Sequence, residues 1–294
     1  MQRRSFLMAL AATTLPLPVR AASGERLVSL DFAITETLLS IGVVPTAQAN
    51  VPGWADWVVE PELPAEVIDV GADLQPNFEL MAALKPDRIL TTPYLGALRP
   101  SLERIAPTSA FSIYDETPGT AFDKSRRVVT ELGALLGRER EAKTFLAKAD
   151  ATIDACAARI AALPQAPKPL LLFTFIDPRH VWVFGKSSIF QAGLERLGLV
   201  NAYEEPCNAW GFAALGVERL ASDRPSRFMV ISPVPDDVLP TLARSPLWRE
   251  LPAVATGEMT ILPVVHRFGG FASVVRLAEV LADALEQAAG IGKA

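Results

Sequence analysis

From Arg26 onward, short apolar runs alternate with amphipathic segments: "RLVSL", "AITETLLSIGV", "PTAQA", "EVIDVG", "NFELMAALKP" and "DRILTT". Compact apolar runs bounded by turn residues read as strands, and apolar positions recurring at steps of three and four read as helices. The alternation predicts βαβ units around a mostly parallel sheet. In "NFELMAALKPD", the Asn77 side chain can cap the helix start and Pro86 ends it. A second series begins at "PLLLFTFI", continues through "SIFQAGLERLGL", "RFMVIS", "DVLPTLA" and "MTILPV", and closes with "FASVVRLAEVLADALEQAA". The pattern therefore predicts two α/β lobes with mostly parallel sheets, over residues 22–118 and 167–294.

Residues 119–166 lie between them. Ala142, Phe145, Leu146, Ala149, Ile153, Cys156, Ile160 and Leu163 form a narrow apolar stripe, which predicts a helix of about 25 residues and ~37 Å. Such a helix is long enough to join the lobes as a single rigid element. Gly133 and Gly137 interrupt the pattern upstream and "PQAPKP" stops it downstream, leaving too few heptads for a coiled coil. One rigid linking helix implies little hinge motion.

The run "FIDPRHVWVFG" places an acid, an arginine and a histidine inside apolar text. The flanking segments read as two strands and "DPRH" as the turn between them, with Pro178 setting a turn φ and Asp177 capping it. On this reading Asp177 pairs locally with Arg179, and alternation puts Trp182 and Phe184 on one face of the second strand.

At 294 residues and half apolar composition, a substantial core is within reach. The opening "MQRRSFLMAL", its short apolar segment and the Val19-Arg20-Ala21 cleavage text read as a twin-arginine export signal over residues 1–21. Its removal takes away three arginines and no acid, shifting the formal charge from −5 to −8. An acidic surface argues against nucleic acid or anionic lipid as partner. Cys156 and Cys207 are compatible with a disulfide in an oxidising compartment or with two isolated small apolar residues. No later stretch has the length of a membrane span, so the mature protein is expected to be free in the periplasm or tethered through a partner; a monomer is expected.

Enzyme motifs are missing from the text: there is no G-x-S-x-G elbow, phosphate loop or H-E-x-x-H. His180 and His266, the two histidines, have no neighbours at ligand spacing, so neither a catalytic residue nor a protein-bound metal is expected. The tryptophans carry more information. Trp54, Trp57, Trp182 and Trp210 fall in or beside connections, whereas Trp248 reads as core of the last lobe. Indoles placed in connections can line a cleft beyond the carboxyl ends of strands, or fill separate local cores.

"VIDVGADLQPNFELMAALKPDRIL", "FIDPRHVWVFGKSSIFQAGLERLGLVNAY", "AWGFAALGVERLA" and "SPLWRELPAV" closely resemble the periplasmic ferric hydroxamate siderophore-binding proteins, a branch of the helix-backbone class of ABC-importer binding proteins. The similarity runs from about Arg26 to the C-terminus. It implies a non-catalytic carrier with no cofactor of its own, holding a preassembled ferric siderophore in a shallow aromatic cleft and handing it to an ABC importer permease. Iron would be held by the siderophore. Trp57, Trp182, Phe184, Trp210 and Phe268 fall where the family lines its cleft, with Ile176 at the base; Phe212, beside Trp210, joins the ligand-facing candidates. Glu79 and Glu218 fall where the family presents one acid per lobe to its permease. A cobalamin or haem carrier of the same fold, and a periplasmic siderophore hydrolase, are the alternatives.

Three departures matter. Asp73 stands where the family has an arginine that reaches the ligand oxygens, and Leu95 stands where it has a tyrosine, although Tyr94 is adjacent. His266 and Arg267 replace aromatics near the end. The expectation is that Tyr94, with Arg99 or Arg267, takes over the contacts to ligand oxygens.

Overall fold

The computed structural model describes residues 24–115, 117–221 and 225–291; the expected export signal lies outside them. The first lobe contains strands β1 (Leu27–Ser29), β2 (Ala47–Gln48), β3 (Ile68–Asp69), a small hairpin of β4 (Gly71–Ala72) and β5 (Gln75–Pro76), then β6 (Arg88–Thr91) and β7 (Thr108–Ala110). Its main sheet runs β3-β2-β1-β6-β7, parallel throughout. Helices α1 (Phe32–Ser40), α2 (Trp54–Trp57), α3 (Phe78–Leu84) and α4 (Arg99–Leu102) lie in the connections. Asp31 caps α1, accepting from the Ile34 N–H at 3.0 Å, and Asn77 caps α3 as expected, accepting from Leu80 N–H at 2.9 Å. The α3 helix stops at Lys85, whose φ of 49° turns the chain into Pro86.

The link between lobes is a helical hairpin rather than one crossing helix. It consists of α5 (Ala121–Leu135), opened by a Thr120/Asp123 capping box, and the long α6 (Glu139–Ala161) of 23 residues. Gly137, at φ +64°, makes the turn between them, and an Arg126–Asp150 ion pair at 2.6 Å ties the antiparallel helices together. A Cβ at Gly133 would meet the Ala142 Cβ at 2.6 Å, so the two glycines that break the sequence pattern are where the hairpin turns and packs. The expected long helix is present and packs on α7 and α11 of the second lobe, while α5 packs on those two and also on α1 of the first.

The second lobe contains β8 (Leu170–Phe175), β9 (His180–Phe184), α7 (Ile189–Arg196), β10 (Phe212–Gly216), β11 (Arg227–Ile231), three short helices, α8 (Val238–Leu242), α9 (Pro246–Glu250) and α10 (Pro252–Ala255), then β12 (Met259–Leu262) and α11 (Phe271–Ala288). Its sheet order is β10-β9-β8-β11-β12. The β8, β11 and β12 strands are parallel; β9 and β10 run antiparallel at one side. The β8–β9 hairpin is the "FIDPRHVWVFG" segment, with its turn at residues 176–179.

Three apolar cores hold the molecule. One fills the first lobe around Val28, Leu30, Met81 and Ile89, and one the second around Phe173, Phe175, Phe228 and Trp248. The largest is continuous between the lobes, joining Ile34, Leu38 and Leu90 to Val129, Ile153, Phe190, Leu277 and Leu281. On α11, Phe271, Val274, Leu277, Ala278, Leu281 and Leu285 recur at helical spacing and are all buried. Polar contacts cross the same boundary: the buried Glu36 of α1 accepts from Gly270 N–H at 3.0 Å and Ser273 Oγ–H at 2.7 Å, Arg276 pairs with Glu60, and the Tyr114 hydroxyl donates to the Arg267 carbonyl at 3.4 Å.

Candidate functional site

A cavity of about 400 Å³ lies between the lobes, within the usual range for small-molecule sites. In the first lobe it opens where the strand order reverses, at the carboxyl ends of neighbouring β1 and β6. Asp31 and Phe32 follow β1, Asn50 follows β2, Thr92 and Tyr94 follow β6, and Phe111 and Tyr114 follow β7; all of them line it. Asp73 reaches it from the turn of the β4–β5 hairpin. The second lobe contributes Trp210, Phe212, His266 and Phe268.

The aromatic rings interlock. Trp210 meets Tyr94 at 5.4 Å, Tyr114 at 5.0 Å and Phe268 at 5.6 Å between centroids, so residues of both lobes share one cluster. Trp182 stacks on Phe212 at 4.4 Å and reaches Phe268 at 6.2 Å. Beside it, the Arg267 guanidinium lies 5.5 Å from the Trp182 ring centroid and 4.4 Å from that of Trp57, which is 38 % exposed at the rim. Arg267 is only 9 % exposed, its guanidinium has no hydrogen-bond or ion-pair partner among the described residues, and burial pushes its pKa down to about 10. It remains a cation at neutral pH, held by two indoles from opposite lobes.

The charged side chains of the lining are two acids, Asp31 and Asp73, among neutral polar groups. Tyr94, 44 % exposed, donates its hydroxyl to Asp73 at 3.0 Å. Asp31, enclosed by the walls, has its pKa pushed up to about 6 by loss of solvent, against the pull of its backbone hydrogen bonds. Burial raises the Tyr94 and Tyr114 hydroxyl pKa values, leaving both neutral. His266 packs edge-on against Phe32, and burial, with Arg267 next to it, lowers its pKa to about 3. Its imidazole is therefore neutral.

Of the sequence candidates, Asp73, Tyr94, Trp210, Phe212, His266 and Phe268 line the cavity, with Trp57, Trp182 and Arg267 forming an adjoining aromatic wall. Tyr94 takes the open position, whereas Leu95 is buried in the first-lobe core. Three candidates are corrected. Phe184 shares the Trp182 face of β9, but α7 covers that end of the strand, and Phe184 is fully buried against Phe190 at 4.6 Å. Arg99 sits on short α4 in a solvent-exposed pair with Glu103 at 2.7 Å, away from the cavity lining. Ile176 begins the β8–β9 turn, where its N–H donates to the His180 carbonyl, and it is exposed rather than at the cavity floor.

Asp177 caps that turn as expected, but its side-chain partner is His180 Nδ1 at 2.8 Å; Arg179 contributes its backbone N–H at 2.6 Å. The string is a turn-closing device, away from the cavity lining. Trp54 and Trp248 fill local cores: Trp54 donates to the Pro61 carbonyl at 2.9 Å, and Trp248 packs on Phe175. Cys156 and Cys207 are free thiols. Sequence reasoning missed Asp31, Phe32, Phe111 and Tyr114. Applying the carboxyl-end rule strand by strand to β1 and β7 points to each of them.

Among the described residues, no group of three or more His, Cys, Asp or Glu side chains could hold a metal ion, and no helix is long and apolar enough to cross a membrane. An aromatic cavity between two α/β lobes joined by helices defines a solute-binding protein. The chain belongs to the periplasmic binding protein family, whose sequence profile matches residues 27–264. Among its relatives is the iron(3+)-hydroxamate-binding protein FhuD of Escherichia coli K12, 33% identical over 288 residues, covering 96% of this chain and 96% of FhuD. The siderophore-binding protein FhuD of Vibrio cholerae, solved with Fe3+-Desferal bound, superposes with a TM-score of 0.83 at 28% identity, covering 92% of this chain and all of that one. The triscatecholate siderophore-binding protein FeuA of Bacillus subtilis shares the fold, with a TM-score of 0.68 at 17% identity, covering 90% of this chain and 94% of FeuA.

Proposed function

We propose that this protein captures a ferric siderophore of the hydroxamate type in the interlobe cavity and delivers it, in the periplasm, to the permease of an ABC importer. The observation that carries this reading is the single aromatic cluster built from both lobes, with Tyr94 and Tyr114 meeting Trp210, and Tyr114 and Trp210 meeting Phe268. Three hydroxamates neutralise one ferric ion, and the complex presents an organic shell suited to ring faces. A ferric tris-catecholate keeps a net negative charge, which Asp31 and Asp73 would repel. Arg267, taking the role that falls elsewhere in the resembling family, supplies charged N–H donors to hydroxamate oxygens. The likeness to the two FhuD proteins supports the same ligand class.

Titration of ferrichrome, ferrioxamine and a ferric catecholate against tryptophan fluorescence tests the reading. Trp210 and Trp182 should report the hydroxamates; a preference for the catecholate overturns it. Absorbance of the complex purified from cells separates an iron siderophore from cobalamin or haem. Glu79, in the first turn of α3, and Glu218, in the 3-10 turn Val217–Leu220, are both exposed and serve as the permease contacts of the two lobes. Charge reversal at both positions abolishes uptake while ligand affinity is retained; unchanged uptake rejects the assignment.

A further inference from the structure

The charge distribution of the cavity carries the ligand question a step further. Its lining includes two carboxylates, Asp31 and Asp73, and neither lysine nor arginine. No Lys, Arg or His side chain pairs with either acid among the described residues. Their hydrogen bonds are neutral: Asp31 accepts from Ile34 N–H at 3.0 Å, and Asp73 from Leu74 N–H at 2.9 Å and the Tyr94 hydroxyl at 3.0 Å. These contacts orient the carboxylates and leave their charge uncompensated. Negative charge within low-dielectric walls focuses a field that attracts a cation.

Two further features answer to the same kind of group. Tyr94, Tyr114 and Trp210 line the cavity with their rings in mutual contact, and aromatic rings so placed can hold an ammonium ion by cation–π attraction. His266 is more than nine-tenths buried in the cavity wall, and its Nδ1 has no hydrogen-bond partner among the described residues. In the neutral Nε2–H tautomer, that nitrogen is an acceptor for an N–H donor. Arg267, whose guanidinium has no hydrogen-bond or ion-pair partner among the described residues, lies in the Trp57–Trp182 wall and outside the cavity lining. The site is thus bipolar, with one end for oxygen ligands and the other for a positive group.

Resting on the carrier reading above, we propose that the cavity selects ferric hydroxamate complexes bearing a free ammonium arm, which the Asp31 and Asp73 carboxylates and the rings of Tyr94, Tyr114 and Trp210 receive. The chelated iron then faces Arg267. A complex with the same coordination sphere and no positive arm leaves the two acids without a counter-charge.

The test compares two probes on the intact protein by tryptophan quenching: the ferric complex of desferrioxamine B, which ends in an ammonium, and its N-acetylated derivative, which does not. At low ionic strength the ammonium complex should bind about tenfold more tightly, equivalent to ~1.4 kcal/mol, and added salt should narrow the gap. In Asp73→Asn the gap should shrink to about twofold or less. Equal affinity of the two complexes for the unaltered protein overturns the charge preference and leaves the carrier reading standing. Binding of neither overturns both, and a full gap retained in Asp73→Asn overturns the part given to Asp73.

Discussion

Arg267 concentrates much of the chemistry of the cleft in one side chain. Its guanidinium is buried, charged and stacked between an indole from each lobe, so a ligand that meets it gains charge-assisted hydrogen bonds where water is largely excluded. Arg267→Ala should weaken binding of a ferric trihydroxamate by about 1–3 kcal/mol, roughly 5- to 150-fold, as read by fluorescence titration. Lysine at the same position keeps the charge but loses the flat stacking surface, so it should restore part of the affinity. Asp31 sets a second, pH-dependent effect. Its carboxylate is raised to about 6 and shares the cavity with Asp73, neutral Tyr94 and Tyr114 and neutral His266, so it is charged above pH 7 and neutral below pH 5. Affinity for an ammonium-bearing complex should hold steady above pH 7 and fall as the pH drops through about 6. The acetylated complex should show little of this fall.

At the scale of elements, the junction of α1 with the start of α11 holds the lobes in register. Glu36 is buried there, and its pKa is pushed up to about 7, chiefly by desolvation, despite hydrogen bonds from Ser273 and Gly270. Because the folded-state pKa lies above the unfolded value of about 4.3, the proton favours the fold. That contribution is complete below about pH 4 and is lost as the pH rises through about 7. Glu36→Gln preserves the shape and can still serve both partners without a buried charge. It should raise stability at pH 8 by about 1–3 kcal/mol, with the gain vanishing at pH 4, by chemical denaturation at the two pH values. The α5–α6 hairpin shows a parallel economy of position: Gly133 lets α6 approach and Gly137 turns the chain, so two residues that weaken a helix in isolation define the link between lobes.

For the whole molecule, the continuous apolar core and the Glu36 and Arg276 contacts across the boundary leave little to hinge. Solution scattering with and without a ferric trihydroxamate should show a change in radius of gyration below about 1 Å; a change of several ångströms would reject the rigid-link account. Periodicity alone made the two lobes, the Asn77-capped helix, the long linking helix and the closing α11 legible, because burying one face of each element requires apolar residues at its own repeat. Turn chemistry did the same for the β8–β9 hairpin, since Pro178 and Asp177 act on their immediate neighbours. Tertiary packing decided the rest. Whether Phe184 or Trp182 faces the cleft depends on α7 lying over one end of β9, and whether Arg99 or Arg267 meets a ligand depends on which one two distant indoles enclose. Asp31 and Tyr114 come to line one cavity with Trp210 only when separate strand ends converge on the cleft, a long-range arrangement that no local pattern in the chain encodes.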